Sequence, residues 1–339
     1  MIYSIQFLRG LAAIMVIMAH IQHKGYQFNI DSLRWFNIGG GGVDIFFIIS
    51  GFIMCYVTHN KRISFPSFLM DRIKRIMPTY WILSLVALGG YLIAPSLINS
   101  SGGETSILAS FTLIPNGGKY LIQNGWTLSY EFLYYIIFAF FIAATENRNA
   151  RYVGISLFIT LLVFIGVLIK PESPFYLFIT NNIIFEFALG IICFVFIKNI
   201  KINKATSCII IMISLSFLVV ENTTALKPGP RAMHYGIPMM LLFIGIVGLE
   251  DLISRKKTIL TKAVETLGNI SYSLYLIHPF TLVITAKALK SLQIKNGLLF
   301  TSAMLLTSIV AGLLFYLLVE RPITKSNKKP IATTCNDKQ

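Results

Sequence analysis

The stretch FLRGLAAIMVIMAH, residues 7–20, decides the fold class of this chain. With its flanks it forms a nearly continuous apolar run over 5–22, which predicts a helix that crosses the roughly 30 Å hydrocarbon core of a bilayer. The run nevertheless carries Arg9 near one end and His20 at the other. Ionisable side chains are expensive in lipid, so both residues are candidates for a functional site inside the protein.

The rest of the chain is as apolar as this first run. Hydrophobic residues make up 55% of the 339 residues and charged residues only 13%, whereas soluble domains carry about a quarter charged residues. The sequence therefore predicts an all-α polytopic membrane protein with about ten transmembrane helices. The predicted spans are 5–22, 41–58, 78–95, 126–145, 151–169, 176–197, 206–220, 235–249, 267–288 and 298–319. The third is placed to begin at Pro78, because proline suits the first turn of a helix.

The net charge of +15 serves mainly as an orientation signal. Ten spans put both termini on one side, and the loops and tail there hold 19 of the 29 Lys and Arg residues, against 9 on the other side. The positive-inside rule therefore predicts that both termini are cytoplasmic. We divide the chain into a membrane domain, 1–322, and a short basic cytoplasmic tail, 323–339. No nucleic-acid partner is expected, and the four cysteines show no metal-site spacing, so no metal site is predicted.

Arg9 and His20 share one face of the first helix. They are eleven residues apart, which at about 100° per residue leaves them roughly 20° from alignment and about 16 Å apart along the axis. Taken singly, Arg9 can snorkel to the headgroups and His20 can sit at the membrane interface. Together they indicate a polar seam through the bundle, with Arg9 near the cytoplasmic end and His20 near the external end.

Two carboxylates are predicted at the depth of His20. Asp44 enters with the second span, which opens GGGGVDIFFIISGF, and Glu131 lies about one turn into the fourth, in NGWTLSYEFLYY. A carboxylate there can orient the imidazole, so His20, Asp44 and Glu131 are the candidate catalytic residues. The alternatives are helix-dipole stabilisation for Asp44 and a structural hydrogen bond for Glu131. Ser50 and Gly51 are expected to permit close helix packing.

Aromatic residues around Glu131 are typical of a sugar-contacting groove. Trp126, Tyr130 and Tyr134 are the candidate substrate-binding residues, with Tyr135 beside them. His278 joins this set, because it lies in the middle of the ninth span in SYSLYLIHPF, just before a kinking proline.

Two weaker signals come from glutamates later in the chain. Glu186 could share a helix face with Asn182, and Glu320 with Arg321 is expected to form a local ion pair that ends the tenth span.

A pair of arginines lies on the cytoplasmic side, in DRIKRIMPTYW. Arg72 and Arg75 are three residues apart, so on a helix they share a face. Paired guanidinium groups suit phosphate through bidentate hydrogen bonds. The alternative is ordinary positive-inside charge or contact with lipid headgroups.

Five motifs occur here in one order: R-x10-H at Arg9 and His20, GVDIFFIISGF, R-x-x-R at Arg72 and Arg75, WTLSYEF, and SYSLYLIHPF. In this order they resemble the bacterial integral-membrane acyltransferase-3 family. The opening SIQFLRGLAAIMVIMAH is particularly similar to the exopolysaccharide and O-antigen O-acetyltransferases of that family. The resemblance covers residues 5–322.

The resemblance implies a ten-helix enzyme of the bacterial inner membrane. Such enzymes move an acyl group, usually acetyl from cytoplasmic acetyl-CoA, to a sugar hydroxyl on the outer side. His20 matches the essential histidine of the family, Arg9 its partner arginine, and Glu131 a family glutamate. Arg72 and Arg75 match the pair proposed to hold coenzyme A. The expected partners are therefore acyl-CoA, a glycan acceptor and membrane lipids, with His20 as general base or as a transient acyl carrier.

Two other classes of protein remain to be weighed. A transporter or flippase of a lipid-linked glycan would also suit a charged seam through ten spans. The cytoplasmic arginine pair together with R-x10-H, and the lack of detectable inverted halves, favour the enzyme. A membrane receptor or assembly subunit would not need buried ionisable groups at all.

Overall fold

The computed structural model of the chain describes residues 3–98, 103–224, 229–255 and 258–326. Within these ranges nine helices of at least 18 residues are apolar enough to cross a membrane, and a tenth apolar helix, Ala232–Gly248, is shorter. The fold is therefore that of an all-α multi-pass membrane protein, as the composition predicts.

We number the ten apolar helices in chain order, and they follow the ten predicted segments one for one. They are α1 Tyr3–Phe28, α2 Gly41–Thr58, α3 Phe65–Ile93, α4 Gly125–Ala144, α5 Arg148–Ile169, α6 Pro174–Asn199, α7 Lys204–Thr223, α8 Ala232–Gly248, α9 Ile259–Ser291 and α10 Gly297–Ser326. Helix α1 packs mainly between α9 and α2, so the helix that carries Arg9 and His20 lies inside the bundle.

The predicted start of the third span at Pro78 is wrong. Helix α3 begins at Phe65 and runs through Pro78 to Ile93. Ser64 supplies the start signal, because its Oγ accepts a hydrogen bond from the backbone N–H of Ser67 at 3.4 Å, with a proline in the first turn. The arginine pair therefore lies on α3 itself rather than in a loop before it.

The predicted end of the tenth span at Glu320 is also wrong. A π-helical turn, Tyr316–Glu320, leads directly into a last α-helical segment, Arg321–Ser326. No ion pair joins Glu320 to Arg321 among the salt bridges of the described residues. The remaining tail, 327–339, lies outside the described residues, as do several lysines counted for orientation: Lys227, Lys256, Lys257, Lys328, Lys329 and Lys338.

Glycines allow a close contact between α2 and α6. A Cβ atom added to Gly51 would collide with the carbonyl oxygen of Phe187, and one added to Gly190 would collide with the carbonyl oxygen of Ile48. The two backbones can approach this closely only because both positions lack a side chain. The packing role predicted for Gly51 is confirmed.

A proline ties α9 to the start of α4. Pro279 has no N–H, so it leaves the carbonyl of Tyr275, four residues earlier, without its helical donor. The side-chain amide of Asn124 donates to that carbonyl at 2.6 Å. This bond fixes the middle of α9 beside the first turn of α4, close to the candidate site residues of both helices.

Candidate active site

A cavity of about 380 Å³ lies between α1, α2, α3, α4, α9 and α10. Four ionisable side chains reach it from four different helices: Arg9, Arg75, Glu131 and Glu320. Other polar side chains complete the wall, and they are Gln6, Ser50, Tyr56, Thr127, Tyr135, Ser271, Tyr272 and Tyr275. Intramembrane charges gathered around one cavity are the pattern expected of a functional site.

Of the two predicted arginines, Arg75 lines the cavity and Arg72 lies just outside its lining. Arg75 is exposed and lines the cavity. Arg72 is half-buried behind it, with its guanidinium 5.7 Å from the ring centre of Phe68 and its Nη1 3.9 Å from the sulfur of Met54. Arg75 is thus placed to meet a ligand directly, whereas Arg72 adds positive charge beside it.

Arg9 lies on the inner wall of the same cavity. It interacts electrostatically with Arg75, Glu320 and Glu131. Two cations and two carboxylates therefore surround one space, with the net charge set by the protonation of the carboxylates.

Glu131 lies level with Arg9 rather than with His20. Its Oε1 accepts hydrogen bonds from Ser50 Oγ at 3.1 Å and from the hydroxyl of Tyr135. Ser50, expected to permit close helix packing, also lines the cavity and hydrogen-bonds Glu131.

The predicted sugar-contacting aromatics lie on the wrong side of α4 to line the cavity. Trp126, Tyr130 and Tyr134 recur every four residues and share one helical face. Tyr134 stacks on Phe187 at 4.4 Å, and Tyr130 packs 4.6 Å from Phe178. None of the three lines the cavity, which meets the neighbouring face through Thr127, Glu131 and Tyr135.

His20 does not line the cavity but reaches it through two other side chains. Its ring centre is 5.0 Å from that of His278, and His278 is 5.9 Å from Tyr275. Tyr275 lines the cavity, and its hydroxyl lies 2.9 Å from Thr127 Oγ1. His278 therefore lies directly behind Tyr275 in the cavity wall, and His20 lies next to His278.

The buried His278 offers one unused hydrogen-bond acceptor. Its Nδ1 lies 3.2 Å from the carbonyl oxygen of Leu274. A carbonyl only accepts, so Nδ1 carries the proton and Nε2 of the neutral ring has a free lone pair. Nε2 is buried and has no partner among the residues that the structure describes. His278 therefore presents an open acceptor in the immediate surroundings of His20.

Asp44 belongs to a different cluster. Its carboxylate is fully buried and pairs with Arg231, at 3.0 Å from Nε and 2.6 Å from Nη2. Neither Asp44 nor Glu131 hydrogen-bonds His20 in the described ranges, contrary to the expected geometry.

The difference in depth explains why Asp44 and His20 do not meet. The C-terminal part of α1 extends past the start of α2, so Gly39 lies beside Ala19 and Gly42 beside Val16. Asp44 follows Gly42 along α2, whereas His20 lies at the level of the loop before that helix.

Residues 2–317 match the sequence model of an acyltransferase domain, the Acyl_transf_3 family. The chain belongs to the acyltransferase-3 family. It is therefore an acyltransferase that transfers groups other than aminoacyl groups, and it is built as a multi-pass membrane bundle.

Named relatives agree with this membership. The acyltransferase is 30% identical over 308 residues to the exopolysaccharide production protein ExoZ of Rhizobium meliloti (strain 1021), covering 86% of this chain and 92% of ExoZ. It is 27% identical over 364 residues to the O-acetyltransferase OatA of Staphylococcus aureus (strain NCTC 8325 / PS 47), covering 96% of this chain and 58% of OatA. No solved structure matches the chain.

Three charged residues of the acyltransferase escaped the sequence analysis or were misread there. The sequence places Arg231 in a loop, yet its side chain forms a salt bridge with the buried Asp44. Glu320 is predicted to end the tenth span, yet its side chain lines the cavity and accepts a hydrogen bond from Ser273. Glu186 is fully buried and interacts with both members of the Asp44–Arg231 pair. The available signal for Glu320 was its position directly after an apolar helical run.

Proposed function

We propose that this acyltransferase moves an acetyl group from acyl-CoA to a hydroxyl of a cell-surface or lipid-linked glycan. The observation that carries the proposal is the cavity, which has Arg75, Arg9 and Tyr275 in its wall, with the ring of Tyr275 in contact with His278. The names of the relatives, an exopolysaccharide production protein and an O-acetyltransferase, support the choice of acetyl and of a glycan.

The donor enters where Arg75 is exposed. Coenzyme A carries several phosphate charges on its nucleotide and a long, thin arm that ends in the thioester. Arg75 binds phosphate through its planar guanidinium, and Arg72 raises the local positive potential. The arm of the coenzyme follows the cavity wall past Arg9. Glu131 accepts hydrogen bonds from Ser50 and Tyr135 and provides a negative charge that compensates Arg9.

The transfer takes place at the histidine pair. His20 acts as general base and accepts the proton of the acceptor hydroxyl. The oxygen attacks the thioester carbon, the C–S bond breaks, and the coenzyme thiolate leaves and takes up the proton from His20. His278 is a positioning residue in this scheme, because its open Nε2 can accept the N–H of His20 and fix the tautomer that leaves the other nitrogen basic.

The membrane orientation is part of the proposal. Both termini face the cytoplasm of a bacterial inner membrane, so Arg75 meets the cytoplasmic pool of acyl-CoA and His20 works near the outer surface. The excess of Lys and Arg in the loops on the terminal side supports this orientation. A reporter that fluoresces only in the cytoplasm, fused after Gln339, should be bright; a stable but dark fusion contradicts it.

Mass spectrometry of surface glycans tests the function as a whole. Polysaccharides from cells with and without the gene are compared, and the deletion is complemented with the wild-type chain. We expect O-acetyl esters on one glycan to disappear on deletion and to return on complementation. Identical acetylation in all three samples contradicts the proposal.

A further inference from the structure

A second cavity, of about 510 Å³, opens at the end of the bundle where α2 ends and α5 begins. Its wall carries five cationic side chains: Lys61, Arg62, Arg148, Arg151 and Lys198. The single carboxylate there, Glu146, is 90% exposed and lies 3.9 Å from the equally exposed Arg62. The pocket therefore carries a strong excess of positive charge.

Arg151 distinguishes this pocket from an ordinary charged surface. The residue is only 7% exposed, and its Nη2 donates to the carbonyl oxygen of Thr145 at 2.8 Å. Its Nε is buried without a partner, and no carboxylate pairs with it in the described part of the chain. Burying a guanidinium without a counter-charge is unfavourable, so an anion bound in the pocket would stabilise it.

The surroundings reinforce the positive potential. Helix α5 begins at Arg148, so its positive N-terminal end lies in the wall of the pocket. His59 lines the same wall and contacts the hydroxyl of the buried Tyr152 at 3.0 Å. Partial burial and the positive charges of Lys198 and Arg148 lower the pKa of His59.

We propose that this pocket binds a phosphate group, with Arg151 at its base and Arg148 and Lys198 at its rim. The planar guanidinium forks of two arginines match the oxygens of a phosphate, and the lysine adds a third charge. The pocket shares no lining residue with the cavity that holds Arg9 and Arg75. It is therefore a separate site, although both cavities adjoin the last turns of α2.

Two sources could supply the phosphate, and an experiment can separate them. One is the headgroup of an anionic phospholipid, since the pocket opens at an end of a membrane bundle. The other is a soluble phosphate compound, of which coenzyme A is the example relevant here. The coenzyme alternative rests on the proposed function, whereas the lipid alternative does not.

Titration of the purified full-length protein in neutral detergent at low salt tests the site. The probes are dihexanoyl phosphatidylglycerol, its phosphatidylcholine counterpart, and coenzyme A. The test variant is Arg148→Gln with Lys198→Gln, and the control is Lys201→Gln, which removes an exposed charge near Lys198 outside the pocket. Thermal unfolding verifies that all variants are folded.

We expect an anionic probe to bind the wild type and Lys201→Gln equally and to bind the double variant about 10-fold or more weakly. Loss confined to phosphatidylglycerol assigns the site to a lipid headgroup, and loss confined to coenzyme A assigns it to the soluble compound. Equal affinities in all three proteins, or no binding of either anion to the wild type, overturn the site.

A parallel titration of Arg75→Ala separates this inference from the proposed function. If coenzyme A binds Arg75→Ala as tightly as the wild type while phosphatidylglycerol discriminates the double variant, the proposed donor site fails and the phosphate pocket stands.

Discussion

His20 of α1 and His278 of α9 lie edge to face, with their ring centres 5.0 Å apart, in the interior of the bundle. Their positions in the chain are far apart, and the packing of α1 against α9 brings them together. Neither Asp44 nor Glu131, the carboxylates expected beside His20, occupies this place. The basic chemistry proposed for His20 therefore depends on a second histidine rather than on a carboxylate.

Replacing His278 should slow transfer without weakening donor binding. His278→Ala removes the acceptor that we propose for the N–H of His20, at a cost of about 1 kcal/mol, so kcat should fall roughly fivefold. The KM for acyl-CoA should stay unchanged, because the phosphates bind elsewhere. His278→Asn, which restores a side-chain acceptor, should recover part of kcat. Equal losses in both variants, with lowered thermal stability, would indicate a packing role instead.

Replacing Arg75 should weaken acyl-CoA binding more than replacing Arg72 does. Arg75 lines the cavity and Arg72 does not, so Arg75→Ala loses a charge-assisted hydrogen bond of about 1.5–3 kcal/mol, or roughly 10- to 150-fold in KM. Arg75→Lys should recover part of the loss. The KM values for acyl-CoA and for the glycan are measured in nanodiscs, with Lys201→Ala as control. An unchanged acyl-CoA KM in Arg75→Ala would reduce this arginine to an orientation signal.

Much of this arrangement was predictable from local sequence. The ten apolar segments, the packing role of Gly51 and the face shared by Arg72 and Arg75 all follow from patterns within one helix. The start of α3 is not predicted correctly, because Pro78 resembles a first-turn residue while the capping signal at Ser64 lies fourteen residues upstream.

Other features depend on how helices meet, which periodicity cannot reveal. Spacing shows that Trp126, Tyr130 and Tyr134 share a face, but not that this face packs on Phe187 and Phe178. The salt bridge between Asp44 and Arg231 joins residues 187 positions apart. The depth of Asp44 relative to His20 depends on how far α1 extends beyond α2, which apolar limits alone do not give.

Breaking the Asp44–Arg231 pair should cost stability rather than chemistry. Asp44 is fully buried and Arg231 is its ion-pair partner, so Arg231→Met leaves a buried charge unpaired and should destabilise the fold by about 3–5 kcal/mol. The double variant Asp44→Asn with Arg231→Met should recover most of that loss. Thermal unfolding and turnover per folded molecule are measured together. If Asp44→Asn were fully stable but had no turnover, Asp44 would be a catalytic residue after all.

A methyl group at Gly51 should separate α2 from α6. The added Cβ would collide with the carbonyl of Phe187, so Gly51→Ala should lower stability by about 1–3 kcal/mol. Gly89→Ala is the matched control, because a Cβ there meets nothing within 4 Å and alanine is the better helix former. Both are compared by thermal unfolding in detergent. If Gly51→Ala is as stable as Gly89→Ala, the close approach of the two helices is not required.

Turnover of the His20→Ala variant tests the proposed chemistry most directly. The measurement is the amount of labelled acetyl moved from acetyl-CoA to the surface glycan per folded protein, with His23→Ala as control. His23 is an exposed residue on the same helix, three positions away. We expect His20→Ala to fold normally and to lose about 10²- to 10⁴-fold in rate, as removal of a general base does, while His23→Ala stays near wild type. Transfer by folded His20→Ala at close to the wild-type rate would contradict any role of His20 as base or acyl carrier.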